Sequence, residues 1–147
     1  MPSFETAARS LKVEAITAPV HDDVEIEAAI IALGCEPGGG LVVTSDAFMS
    51  AHRAPIIMAA ARNKLPVVYL LSEFARDGGL LSYGPDQVDT SRRAATYVDR
   101  ILRGEKPGDL PVQFPTKFEM AVNRRTAKAL GLAIPPSILL RADEVIE

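Results

Sequence analysis

Two short apolar runs, Leu41-Val42-Val43-Thr44 and Pro66-Val67-Val68-Tyr69-Leu70-Leu71, flank a segment with helical spacing, and this order constrains the fold more than any other feature of the chain. A run that is apolar without alternation predicts a strand covered on both faces, as in the middle of a parallel sheet. Between the runs, from about Ser50 to Asn63, Ile56, Ile57, Ala60 and Ala61 recur at helical spacing. Pro55 is tolerated only in a first turn, which puts the helix start near His52 to Ala54. A strand, a helix of that length and a second strand cannot close as a hairpin, so the predicted connection is a parallel crossover.

The pattern continues on both sides. Leu11-Lys12-Val13-Glu14-Ala15-Ile16 alternates at period two and predicts a strand with one more exposed face. Asp22 with Glu25 three residues on reads as a variant capping box. It opens a helix whose stripe is Val24, Ala28 and Ile31 and whose stop is Gly34. Glu73 to Asp77 is a short helical turn, and Leu80 to Tyr83 is a fourth strand. The expected class is therefore α/β, a three-layer α/β/α lobe with a mainly parallel sheet, and 147 residues suit one such domain. Residues 1–84 carry the βαβαβαβ core. Residues 85–147 carry an amphipathic helix over Ser91 to Arg103, with Ala94, Val98, Ile101 and Leu102 on one face. After Gly104 comes a connection held extended by Pro107, Pro111 and Pro115. A strand over Phe118 to Asn123, a short helix from Arg124 to Leu130 and a tail introduced by Pro135-Pro136 complete the chain.

Charge and composition exclude several function classes. The net charge is −3, yet residues 92–128 hold 9 basic and 4 acidic residues, a local excess of five. These arginines and lysines sit at helical positions with almost no aromatic residue among them, which reads as a solvated helix face and gives no nucleic-acid partner. No apolar run approaches the roughly 20 residues of a membrane span, so no membrane insertion is expected. The N-terminus lacks the basic and apolar regions of a signal peptide, leaving a cytoplasmic place open for the chain as written. Cys35 is alone and forms no internal disulfide. Cys35 with His52 has no local motif of a thiol nucleophile, and His21-Asp22-Asp23 are adjacent residues that rarely converge on one ion. Gly38-Gly39-Gly40 precedes a strand, the wrong order for a phosphate loop. No catalytic residue, metal site or cofactor is read from the sequence.

One segment points to a site. Gly78-Gly79-Leu80-Leu81-Ser82-Tyr83-Gly84-Pro85-Asp86 is a strand opening into glycine- and proline-fixed backbone, and ligands of open parallel sheets bind beyond the carboxyl ends of strands. An ordinary tight turn has the same composition.

From Gly78 onward the chain resembles a known family. The runs Ser82-Tyr83-Gly84-Pro85-Asp86, Arg92-Arg93-Ala94-Ala95, Tyr97-Val98-Asp99-Arg100-Ile101-Leu102-Arg103-Gly104, Lys106-Pro107, Asp109-Leu110-Pro111-Val112 and Pro115-Thr116-Lys117-Phe118-Glu119 look like the C-terminal half of the ABC-transporter substrate-binding proteins related to tryptophan- and tyrosine-binding members. Asn123, Thr126 to Leu132, Ile134 to Ser137 and Arg141 to Glu147 continue the likeness, which spans roughly residues 9 to 147. No single motif within it would suffice. The resemblance implies a type I periplasmic-binding fold: two lobes close on a small molecule and deliver it to an ABC permease in the periplasm. It also implies that this chain is about half a member, beginning inside the second lobe, and that the part after Gly84 belongs partly to the other lobe.

Within that frame the strand ends supply candidate ligand-binding residues. Ser45 and Asp46 close the strand at Thr44, and the resemblance would use the Asp46 carboxylate for the ammonium of an amino acid; Asp46 or Ser50 as a helix cap is the alternative. Ser72 and Glu73 face a cleft or cap a helix. Ser82 offers a hydroxyl and Tyr83 a stacking face, on opposite sides of one strand. Asn123 either bonds a ligand or holds backbone. The expected function is solute binding in an uptake system without catalysis. The alternative is a single-lobe dimeric sensor or regulatory module for a small molecule, and an enzyme of flavodoxin-like architecture ranks below both. Because the Ser91–Arg103 helix needs cover for its apolar face, a homodimer with a sizeable apolar interface is expected.

Overall fold

A computed structural model describes residues 2–35 and 38–147. The sheet has five strands in the order β1-β2-β3-β4-β5: Leu41–Val43, Val67–Tyr69, Leu81–Pro85, Phe118–Asn123 and Glu144–Ile146. β1, β2 and β3 run parallel, β4 is antiparallel to β3, and β5 is parallel to β4. The architecture is the expected α/β lobe with a mostly parallel sheet.

The helices, numbered along the chain, are α1 (Pro2–Ser10), α2 (Asp23–Gly34), α3 (Ala47–Ala51), α4 (Arg53–Arg62), α5 (Ser72–Arg76), α6 (Gln87–Leu102), α7 (Arg124–Ala129) and α8 (Pro136–Leu139). The Asp22 carboxylate accepts from the Glu25 amide at 2.8 Å, the predicted cap of α2. The buried stripe of that helix is not the predicted one: Ile26 and Ile30 face the core, while Val24 and Ile31 are exposed. Both stripes are apolar, so periodicity alone could not choose between them. The helix expected to start near His52 to Ala54 is α4, which begins at Arg53 with Pro55 in its first turn; a short helix that the sequence pattern does not reveal, α3, precedes it.

Ile26 and Ile30 of α2, Val43, Ile56, Ile57, Ala59 and Ala60 of α4, Leu65, Val67, Tyr69 and Phe74 form the main core. Register makes a row across one sheet face: Val43 pairs with Tyr69, Tyr69 with Ser82 and Ser82 with Ala121, all buried. Gly84 lets β3 pass close to β2, because a Cβ there would fall 1.9 Å from the Leu70 carbonyl oxygen.

Three expectations are corrected. The alternating run Leu11–Ile16 is not a strand. Its start is spent closing α1, where the Val13 amide donates to the Ala8 carbonyl and Lys12 adopts φ 58°, and no described strand lies beside the rest. The tail holds a strand, β5, that the sequence pattern does not reveal. The helix expected over Ser91 to Arg103 starts earlier, at Gln87, and buries none of its residues: Val88, Val98, Ile101 and Leu102 are all exposed, Leu102 by 82%. Residues 87–116 therefore form an arm beside the lobe. It is held together internally by Tyr97 Oη donating to the Pro111 carbonyl, by Arg93 donating to Thr116 and Gln113, and by the Arg100–Glu105 ion pair. No helix among the described residues is long and apolar enough to cross a membrane.

Candidate functional site

Parallel strands end on one edge of their sheet, so the segments after β1 and β2 and the C-terminal end of β3 share a rim. After β1 come Thr44, Ser45 and Asp46; after β2 come Leu70, Leu71, Ser72 and Glu73; β3 ends in Tyr83, Gly84 and Pro85. Because β4 is antiparallel, its first residue and not its last lies there: Phe118 pairs with Pro85, and Lys117 precedes it.

Ser45, Asp46 and Glu73 are exposed on this rim. Asp46 caps α3, its Oδ1 accepting from the Met49 amide at 2.7 Å, while Ser50 Oγ donates to the Asp46 carbonyl. One carboxylate oxygen thus fixes the side chain, and the other has no partner among the described residues. Glu73 stands in the first turn of α5. Tyr83 is 48% exposed and stacks on Phe118, ring centroids 5.8 Å apart and 22° from parallel. The rim therefore combines two carboxylates, a serine hydroxyl and an aromatic pair, the chemistry that suits a small cation or zwitterion with an apolar part.

Two sequence-predicted residues do not join it. Ser82 projects to the other sheet face, 1% exposed in the Val43–Tyr69–Ala121 row, and its Oγ has no partner among the described residues. Asn123 lies at the far end of the sheet, because the reversal of β4 brings its C-terminus beside the start of β3: the Asn123 amide donates to the Leu80 carbonyl at 2.9 Å. Its side chain is spent on backbone. Nδ2 donates to the Ala75 carbonyl at 2.9 Å and Oδ1 accepts from the Thr126 amide at 3.0 Å, capping α7.

Sequence reasoning missed Phe118, Lys117 and Asp86. Only the direction of β4 places the first two on the rim. Asp86 is buried, and its carboxylate meets Lys117 Nζ at 2.7 Å. The hydrogen bond from Lys117 holds the Asp86 carboxyl below its usual range, and the same bond raises the lysine.

Elsewhere, His52 Nδ1 bonds the Phe48 carbonyl and His21 bonds Glu25, so both histidines have structural partners. Among the described residues no group of three or more His, Cys, Asp and Glu side chains could hold a metal ion. A shallow cavity of about 110 Å³ lies between α2 and α4, lined by Asp23, Ile26, Glu27, Pro55, Met58, Ala59 and Arg62. It includes none of the rim residues and is well under the roughly 300 Å³ at which ligand pockets begin. The rim is an open edge.

A lobe of this shape is found in known proteins. The family model described as ABC transporter substrate binding protein matches residues 3–146. A conserved domain protein from Vibrio cholerae O1 biovar El Tor superposes with a TM-score of 0.87 at 25% identity, covering 99% of this chain and 49% of its own. An ABC domain from Streptococcus pneumoniae, solved in complex with L-Trp, gives 0.87 at 24% identity over 99% and 49%. CD0873 from Clostridium difficile, a substrate binding protein with adhesive properties in a ligand-free, open structure, gives 0.65 at 20% identity over 99% and 48%. The chain spans about half the length of each. No curated protein matches the sequence.

Proposed function

This chain belongs to the family of ABC transporter substrate-binding proteins, and from that premise we propose that it supplies one lobe of a two-lobed solute receptor, its rim forming half of the ligand cleft. The observation that supports the reading is the rim itself: Ser45, Asp46, Glu73 and Tyr83 are exposed at or just past the carboxyl ends of β1, β2 and β3, the edge at which sheets of this class bind ligands. In this reading Asp46 takes the ammonium of an amino acid with the oxygen that its cap leaves unused, Ser45 adds a hydroxyl, Glu73 adds negative charge, and the Tyr83–Phe118 pair receives an apolar or aromatic side chain. L-Trp, found in complex with the Streptococcus pneumoniae protein, is the first probe for this ligand class. The role is binding without catalysis, and an ABC permease on the periplasmic side is the recipient.

A second half of the cleft comes from a second lobe, onto which the arm of residues 87–116 reaches. One observation favours a second reading, a homodimeric small-molecule sensor: the apolar face of α6 is bare and could be covered by another copy of the chain.

The test is thermal unfolding with L-Trp, L-Tyr and L-Phe at millimolar concentration, on the parent and on Asp46→Asn. Asparagine caps helices as well as aspartate does, so the variant keeps its fold and loses only the charge. At ten times the dissociation constant, ligand stabilises by about 1.4 kcal/mol, roughly 3–6 °C for a domain of this size. The expected result is such a shift in the parent and none in Asp46→Asn. Equal shifts in both remove Asp46 from the site, and no shift in either counts against binding by this lobe.

A further inference from the structure

Among the described residues, Asp86 is the only buried charged side chain, and all of its polar groups are used at one junction. Its amide donates to the Lys117 carbonyl at 3.0 Å, joining the last residue before the arm to the first after it. Its Oδ1 accepts from the Asp89 amide at 3.0 Å and caps α6. Its Oδ2 meets Lys117 Nζ at 2.7 Å, and its carbonyl accepts from both the amide and the hydroxyl of Thr90. Beyond this junction, among the described residues, no hydrogen bond or ion pair joins residues 88–116 to the lobe. The arm carries its own ties, at Tyr97–Pro111, Arg93–Gln113 and Arg93–Thr116, which make it one body. Gln87 Nε2 adds one bond at the same junction, to the Pro85 carbonyl at 3.3 Å, and a body attached by two adjacent strands and the ties of one junction has a single place at which to turn.

We infer that the Asp86–Lys117 pair is the clasp of a hinge: it binds the two chain crossings side by side and fixes the angle between the arm and the sheet. Asp86 and Lys117 are positioning residues, and neither touches the ligand in this scheme. Asp86 sits at the end of β3, three residues past Tyr83, so a change of arm angle is delivered beside the rim. The use of the hinge in closing a cleft rests on the two-lobed reading; the fixing of the arm does not. Lys117 holds the Asp86 carboxyl below its usual range, so the pair stays charged at neutral pH.

The experiment measures the arm angle directly and needs no ligand. Spin labels at Lys106→Cys on the arm and Lys128→Cys on α7, in a Cys35→Ser background, give a distance distribution by double electron–electron resonance. Cys35, Lys106 and Lys128 are all exposed. Lys117→Met keeps the aliphatic stem, and Asp86→Asn keeps a capping oxygen while losing the charge. The expected result is one narrow distribution in the parent that grows to roughly double its width in each variant, with hydrogen-exchange protection of α6 retained. Unchanged distributions overturn the clasp. Broadening with loss of α6 protection also overturns it, since the helix would then be melting and not swinging. A failed amino-acid titration leaves this result untouched, and an unaltered arm leaves the titration untouched, so the two readings fail separately.

Discussion

Replacing Asn123 by alanine separates a residue that holds the fold from one that holds a ligand, and the structure sets the size of the effect. Two hydrogen bonds are lost. The first is the cap of α7, accepted by Oδ1 from the Thr126 amide at 3.0 Å; removing an asparagine cap costs about 1 kcal/mol. The second is donated by Nδ2 to the Ala75 carbonyl at 2.9 Å in the interior. That carbonyl keeps one partner, the Gly78 amide at 3.2 Å, so the loss belongs at the lower end of the range for a buried group, again about 1 kcal/mol. With the small void left behind, the total is roughly 2–3 kcal/mol, which lowers the melting temperature by about 4–12 °C for a chain of this length. Asn123→Asp sharpens the test. The substituted carboxylate still caps α7 but turns an acceptor toward the Ala75 carbonyl at a site only 4% exposed, so at pH 7 it is destabilised at least as much as Asn123→Ala. Burial raises the folded-state pKa of that carboxyl, the native state then binds more protons than the unfolded one, and stability recovers as pH falls. Calorimetric melts of the three proteins at pH 7 and pH 4.5 measure all of this. A melting temperature for Asn123→Ala within about 1 °C of the parent refutes the assignment, as does an Asn123→Asp protein that matches the parent at neutral pH.

Gly84→Ala brings a methyl 1.9 Å from the Leu70 oxygen and 2.8 Å from its carbonyl carbon, so β2 and β3 must separate at the rim. A loss of about 3 kcal/mol or more is expected by urea unfolding, whereas Gly108→Ala, with nothing within 4 Å, stays within about 0.5 kcal/mol; equal effects would contradict the close approach. If copies of the chain cover the α6 face, light scattering gives twice the chain mass at micromolar concentration and a single mass for Leu102→Glu, and a single mass for the parent across dilution sinks the homodimer.

The strands that carry the fold were legible because they are short, apolar and bounded by glycine and proline: β1, β2, β3 and β4 all fall within two residues of their expected places. What periodicity could not supply was neighbours. Leu11 to Ile16 alternates as a half-buried strand does, yet alternation says which way side chains would point and not that a partner strand exists. β5 gave no signal at all. Its three residues are held by the step before them, where Asp143 bonds Met120 twice, its amide donating to the Met120 carbonyl and its Oδ2 accepting from the Met120 amide. Of the candidate site, Ser45, Asp46, Glu73 and Tyr83 were legible because each lies at or just past the carboxyl end of a parallel strand. Ser82 and Asn123 share that position in the sequence and fall away, the first because strands alternate faces, the second because β4 runs backwards.

That reversal has a wider consequence. β3 leaves the sheet at the rim through Pro85, and β4 re-enters at the same rim through Phe118, so the whole of residues 87–116 hangs from one point as an oversized hairpin loop. A crossover helix between parallel strands must run back along the sheet and is buried by doing so. A helix inside a hairpin loop has no such obligation, and α6, sixteen residues with a coherent apolar face, meets none of the lobe's core. The antiparallel step thus explains three observations together: Phe118 beside Tyr83 on the rim, Asn123 away from it, and an apolar helix without cover. The first and the last lie at one edge of the lobe, which is where a second body has to bind if the rim is to enclose a ligand.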